Sequence, residues 1–228
     1  MLHSSFFWGY MITQIPAGFL ATRFPANRVF GLAILTSCSL NILLPFFAKT
    51  NFIALVVVRV IQGFFDGIAF PSVHGMWRYW APPLERSRLA TIAFTGIYAG
   101  AIVGFPFSNY LINCISWECS FYVYGCSGIV WSIIWFIISS PCPEKCWFIS
   151  KTEIEYIKNC IGQPPNVEKN SKKIPICAIM LSIPVWAIIV ATFCRNWSFF
   201  IVTTYQSQFF SESFGLDIKD VCNFIFNI

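Results

Sequence analysis

Charge is what this sequence has least of. Asp, Glu, Lys and Arg make up 11% of its 228 residues, against about 25% in an ordinary soluble domain. A chain of this size folding in water needs far more polar surface, which argues against a soluble enzyme. The 57% hydrophobic content excludes a disordered chain, because such chains are poor in apolar residues. Histidine is scarce too, with only His3 and His74. Cys142 and Cys146 have no histidine or further cysteine at zinc spacing. No nucleophile–base pair stands out, so no catalytic residue, metal or cofactor is expected. The start, Met1-Leu2-His3-Ser4-Ser5, lacks a basic n-region and leads into a full-length apolar run, so no secretory signal is expected. The formal charge of +5 does not mark a nucleic-acid binder, since the basic residues sit in short loops and not on one soluble face.

What the sequence has in abundance is long apolar runs. A helix crosses a bilayer with about 20 apolar residues. Six segments meet this, near 4–22, 29–47, 52–71, 89–111, 118–139 and 182–206. In lipid they must be helices, because exposed backbone polar groups would go unsatisfied. The expected fold is therefore all-α and polytopic. Of the ten cysteines, Cys38, Cys126 and Cys194 lie inside apolar runs and read as buried thiols. Cys114 and Cys119 flank one short loop and could pair, though nothing requires it. Gly96, Gly100 and Gly104 recur at a spacing of four on the fourth span, a pattern that lets helices approach closely. Pro16 and Pro71 lie within or at the end of spans and are candidates for kinks.

The loops give an orientation. Arg23 and Arg28 lie in the first, Arg78, Arg86 and Arg88 in the third, and Lys145, Lys151, Lys158, Lys169, Lys172 and Lys173 in the fifth. The other side holds Lys49 and Lys219. The basic side is cytoplasmic by the positive-inside rule, which places the start and the tail in a lumen or outside the cell. Only the fifth loop is long. Ser150 and Glu153 in it have capping-box spacing and predict a short surface helix, followed by the breaker Gly162-Gln-Pro-Pro-Asn166 and a basic stretch. The organisation expected is a helix bundle over 1–140, a cytoplasmic linker over 141–181, and a further span with a luminal tail over 182–228.

Three charges fall inside the spans, away from their ends. Arg59 and Asp66 are seven residues apart, nearly two helical turns, and so face the same way. A charge at mid-bilayer costs about 2.5–3.5 kcal/mol on insertion scales. Either the two form a structural ion pair, or they serve a substrate or proton site. Arg195 has no acidic residue on its own turn, and its planar fork suits a carboxylate or phosphate. It could meet an anionic substrate or an acid on another helix. His3, His74 and Asp66 are candidates for proton sensing. Asn196-Trp197-Ser198 matches the glycosylation pattern but lies inside a span, where no glycan can be added.

These features together resemble the major facilitator superfamily. Gly18-Phe-Leu-Ala-Thr22-Arg23, then Arg28, is similar to its gating loop after the second helix, with Thr22 where an acid usually stands. Ser5-Phe-Phe-Trp-Gly-Tyr10 with Gln14-Ile-Pro-Ala-Gly18, and Arg59-Val-Ile-Gln-Gly63, resemble the second and fourth helices of the organic anion transporters. That family includes sialin, the sodium–phosphate cotransporters and the vesicular glutamate transporters. Trp80-Ala-Pro-Pro-Leu-Glu-Arg-Ser-Arg-Leu-Ala90, Ala26-Asn-Arg-Val-Phe-Gly31, Phe121-Tyr-Val-Tyr-Gly125 and Thr192-Phe-Cys-Arg-Asn-Trp197 resemble the vesicular glutamate branch in particular.

The resemblance implies that the six spans are helices two to seven of twelve, so that the chain is a fragment without the first helix and its arginine. It implies that Arg195 contacts a substrate carboxylate and that Arg59, His3 and Tyr10 line the central cavity. Asp66 stands where a glutamate implicated in luminal proton sensing is expected, and Phe70 where a tyrosine is. The implied activity is secondary active transport of an organic anion, most of all glutamate, into synaptic or other acidic vesicles. Membrane potential would drive it, with protons, chloride or sodium as coupled or regulating ions. The alternatives are a sialic acid or phosphate transporter, with the plasma membrane as a possible site, or a truncated product that does not transport but assembles with a full-length relative.

Overall fold

The computed structural model describes residues 2–161 and 179–214. The regular elements among them are all helical: α1 (Leu2–Arg23), α2 (Ala26–Thr50), α3 (Phe52–Trp80), α4 (Arg86–Cys114), α5 (Trp117–Ile138), a 3-10 turn (Pro143–Lys145), α6 (Lys151–Ile161) and α7 (Ile183–Phe214). The chain forms two units, Met1–Pro164 and Pro165–Ile228. Helices α1 to α6 belong to the first and α7 to the second. The expected breaker after Gly162, the basic stretch behind it and the tail from Gly215 lie outside the described residues.

Among the described residues, five helices are both long and apolar enough to cross a membrane: α2, α3, α4, α5 and the Ile183–Val202 part of α7. The chain is a multi-pass membrane protein. The first expected span, α1, has the length at 22 residues but not the apolarity, because Ser4, Ser5, Thr13 and Gln14 dilute it. Some of that polarity turns inward. Ser5 and Thr13 are buried, and Thr13 Oγ1 donates to the Gly9 carbonyl at 2.8 Å. Helices α2, α3, α4 and α7 run past their expected ends, while α5 ends at Ile138, one residue short. The largest extension is in α3, which continues through Pro71 to Trp80. Just after that proline, Ser72 donates its hydroxyl to the Ile68 carbonyl at 2.8 Å.

Glycine sets the tightest packing of the first unit. Helix α1 lies alongside α3 in the same direction, Gly9 against Val60 and Phe64, Gly67 against Tyr10 and Thr13, Gly75 against Ala21. With no side chain between them, the two backbones touch. Helix α5 runs antiparallel to α2, with Gly128 against Cys38 and Gly125 against Ile42. The glycines that stood out in the sequence behave differently. A Cβ on Gly96 or Gly100 would meet nothing within 4 Å, and one on Gly104 would meet only the Tyr124 hydroxyl at 3.7 Å. Helix α4 is held instead by polar and aromatic contacts. Ser108 Oγ donates to the Tyr124 hydroxyl at 3.0 Å, which donates to the Gly104 carbonyl at 2.8 Å. Phe94 packs among Phe70, His74 and Trp77 of α3.

The ends of the first unit are locked by contacts between residues far apart in sequence. At one end, Asn27 Nδ2 donates to the backbone carbonyl and to Oγ of Ser139, at 3.2 and 3.3 Å. Trp135 Nε1 donates back to the Asn27 carbonyl at 3.0 Å, and Trp80 Nε1 donates to the Ser140 carbonyl at 3.2 Å. At the other end, Lys49 and Glu118 form an ion pair at 2.7 Å. The basic loops after α1, α3 and α5 thus meet at one end, as alternating spans require. Helix α6 starts right after Ser150, as its spacing predicts, but the Ser150 hydroxyl pairs with that of Thr152 at 2.8 Å, where a capping box would use the backbone. Cys114 and Cys119 are free thiols.

Candidate substrate site

Asp66 is the midpoint of α3, and Arg59 lies two turns nearer the lumenal end that the loop charges assign. They share a side of the helix but do not pair. Seven residues of rise separate them by about 10 Å. The ion pairs of the first unit that the described residues form include Lys49–Glu118 and Lys158–Glu144, neither of which uses Arg59 or Asp66. Each intramembrane charge uses a different neighbour. Arg59 Nη1 donates to Gln62 Oε1 at 3.4 Å on the next turn, and its guanidinium lies 6.0 Å from the centroid of the Phe121 ring of α5. That distance is at the edge of a cation–π contact. Asp66 is hydrogen-bonded to Ser37 of α2. The structural ion pair is therefore not the arrangement here. A cation and a carboxyl stand on one side of α3, each held by neutral groups.

Ser37, Gln62 and Phe121 are the members of this site that sequence reasoning missed. A signal for two of them existed. Ser37 begins a polar run, Ser37-Cys38-Ser39, inside an apolar span, and Gln62 falls one turn after Arg59 on the same face. Both are buried at 6% and 8% exposure, as polar side chains that hold intramembrane charges should be. Phe121 carried no signal, because only the packing of α5 brings its ring near Arg59. Asn41 Nδ2 donates to the Phe121 carbonyl at 3.3 Å and fixes that turn of α5.

Among the other expected site residues, Tyr10 is half-buried on α1, stacked on Phe6 at 6.1 Å and hydrogen-bonded to Gln14. Its backbone carbonyl lies where a Cβ on Gly67, next to Asp66, would stand, at 2.7 Å. The structure thus brings Tyr10 close to the carboxyl. His3 is on the first turn of α1, and its side chain is outside the described set. His74 is exposed near the other end of α3, its ring 5.0 Å from that of Trp77, well away from Asp66 along the helix. Gly18 lies on α1 with open space around it. Arg23 ends α1 and Arg28 sits in the first turn of α2, both exposed on either side of the tight Phe24–Pro25 connection.

Arg195 belongs to the second unit. It lies within Ile183–Val202, the apolar part of α7, about 10 Å along the helix from Val202 and about 18 Å from Ile183. Phe193 and Trp197 flank it, their rings stacked at 5.6 Å. Each unit therefore carries an arginine at membrane depth, beside aromatic side chains.

Residues 1–227 match the Major Facilitator Superfamily profile. The probable vesicular glutamate transporter eat-4 of Caenorhabditis elegans is 46% identical over 221 residues, covering 96% of this chain and 38% of that protein. Vesicular glutamate transporter 2 of Mus musculus is 45% identical over 223 residues, 97% of this chain and 38% of that protein. Vesicular glutamate transporter 1 of Xenopus tropicalis is 45% identical over 223 residues, 97% and 39%. The chain thus spans less than two fifths of the length of these relatives. With a match along nearly its whole length and an all-helical, membrane-spanning architecture, the chain belongs to the Major Facilitator Superfamily.

Proposed function

We propose that the protein transports a small organic anion, with glutamate the favoured substrate, into acidic vesicles by alternating access. The observation that carries this reading is an arginine at membrane depth in an apolar helix of each unit, with Arg59 in no ion pair among the described residues. Each such arginine costs about 2.5–3.5 kcal/mol to insert. An anion bound against it offsets part of that cost and gives selectivity for negative charge. The names of the relatives support glutamate among the anions.

In this reading Arg195 takes the substrate carboxylate, because its fork donates two parallel hydrogen bonds to the two carboxylate oxygens. Arg59 supplies positive potential in the first unit, and Gln62 fixes its guanidinium. Tyr10 offers a hydroxyl and His3 a second polar group on α1. A vesicle interior positive to the cytoplasm draws the anion inward, with about 2.3 kcal/mol per charge for each 100 mV. Asp66 is better placed as a proton sensor than His74. It sits mid-membrane beside Tyr10 and Ser37, whereas His74 lies toward the end of α3 that faces the cytoplasm by the loop charges. Gly18, Arg23 and Arg28 form the gating turn between α1 and α2. Thr22 in place of an acid removes one ionic contact from that gate.

A competition series tests the substrate. The longest natural form of the protein is reconstituted in liposomes, and uptake of labelled glutamate under an inside-positive potential is challenged with unlabelled glutamate, aspartate, sialic acid and phosphate. Glutamate should compete best. Stronger competition by sialic acid or phosphate would reassign the substrate. Absence of any uptake, together with co-purification of this chain with a full-length relative, would favour a non-transporting assembly partner.

A further inference from the structure

A short segment after α5 has features that transport does not use. Ser140 to Cys146 fold into a compact turn. The Ser140 carbonyl accepts from Trp80 Nε1 at the end of α3, its hydroxyl donates to the Lys145 carbonyl at 3.4 Å, and the Cys146 amide donates to the Pro143 carbonyl at 3.1 Å. Pro143 and Cys146 are buried in this turn. The two residues that follow point away from the protein. Trp147 is 79% exposed and Phe148 58% exposed, and their rings pack edge to face at 5.4 Å. Exposed Lys145 and Lys151 flank them.

We propose that Trp147 and Phe148 insert into the headgroup layer of the leaflet at the basic end of the protein, with Lys145 and Lys151 on the phosphates of anionic phospholipids. Helix α5 ends at Ile138, so the segment begins where the bilayer surface lies. The link to Trp80 holds it there, because it cannot swing into water without leaving α3. Two adjacent aromatic rings directed outward from a rigid turn bury their apolar faces at the depth where tryptophan is enriched in membrane proteins. The flanking lysines match the negative surface potential of the cytoplasmic leaflet. The charge pattern favours lipid over a protein partner, since a cation stands on each side of the aromatic pair within three residues. The inference rests on the membrane reading of the helices and is independent of the substrate.

A fluorescent amino acid incorporated in place of Phe148, with a second protein carrying it in place of exposed Glu155 on α6, reads the depth of both sites in nanodiscs. The expected result is that the 148 probe loses most of its emission to lipids brominated close to the headgroup, and that the 155 probe does not. Quenching at 148 should drop several-fold when Trp147→Ser is added. It should also weaken when anionic lipid is omitted or Lys145→Gln and Lys151→Gln are combined. A 148 probe quenched by aqueous iodide as readily as the 155 probe would overturn the proposal. So would a 148 probe shielded from iodide yet untouched by brominated lipid, which would mean that protein covers the pair. Because emission is read without transport, these outcomes stand whether or not glutamate is the substrate.

Discussion

Replacing Gly63 with alanine tests the closest helix crossing in the first unit. A Cβ there would overlap the Phe6 carbonyl oxygen, and would stand 2.9 Å from the Phe6 carbonyl carbon and 3.1 Å from the Tyr10 nitrogen. All three are backbone atoms of α1, so no side chain can rotate aside. Carbon atoms pack at about 3.5–4.0 Å, and α1 must move away by about 1 Å. Overpacking of this kind costs about 1–3 kcal/mol. At about 2–4 °C per kcal/mol for a chain of this size, the melting temperature should drop by roughly 2–12 °C. Gly18→Ala is the control. Its Cβ would meet nothing, and alanine in a helix is favoured over glycine by about 0.5–1 kcal/mol. Gly9→Ala meets the same crossing from the other side, overlapping the Val60 carbonyl oxygen. The Gly9→Ala, Gly63→Ala double variant should therefore cost less than the two singles together, because the helices part only once. The assay is thermal unfolding in detergent followed by size-exclusion chromatography. If Gly63→Ala melts with Gly18→Ala, the crossing is not where the structure puts it.

The other perturbations follow from single contacts. Asn27→Ala removes both bonds to Ser139 and should cost about 1–2 kcal/mol in the same melting assay. Asn27→Asp should cost more, since a carboxylate cannot donate to the Ser139 carbonyl, and equal stability of the two variants would remove the lock from the account. Lys158 holds the exposed Glu144 carboxyl below its usual range, first by a hydrogen bond and then by charge. Their pairing is therefore complete above the ordinary carboxylate pKa and disappears as pH falls through the lowered value. Hydrogen exchange in α6 should rise across that interval in the wild type and stay level in Glu144→Gln; matching profiles would exclude the pair as the cause. Asp66→Asn should leave glutamate uptake intact but insensitive to lumenal pH, and an unchanged pH profile would end the proton-sensing role.

Much of the fold is legible because lipid demands it. The apolar runs and alternating loop charges disclose the helices and their direction, since no other backbone arrangement survives in a bilayer. Helix α1, expected near 4–22 and found at Leu2–Arg23, is less apolar than the other long helices. Its polar face packs inward on α3, and hydropathy measures composition without knowing where a residue faces. The glycines show the same limit. The regular Gly96, Gly100, Gly104 series is visible on one helix but meets almost nothing, while the tightest contacts are those of Gly9 with Val60 and of Gly63 with Phe6, which depend on how two helices are registered. Arg59 and Asp66 were visible as charges out of place, and their shared side followed from spacing. Their pairing with Phe121 and Ser37 was not, because those come from α5 and α2, and only packing decides which turn of a neighbour lies opposite. The Asn27–Trp135 lock, 108 residues apart, is hidden for the same reason.

The central claim is that an intramembrane arginine binds the transported anion. Potential-driven uptake of labelled glutamate by liposomes containing the longest natural form of the protein, compared with its Arg195→Ala and Arg195→Lys variants at equal expression and folding, tests it most directly. The account predicts uptake by the wild type, abolished by alanine and recovered only weakly by lysine, which keeps the charge but loses the planar fork. Uptake by the alanine variant at the wild-type rate and affinity would contradict it.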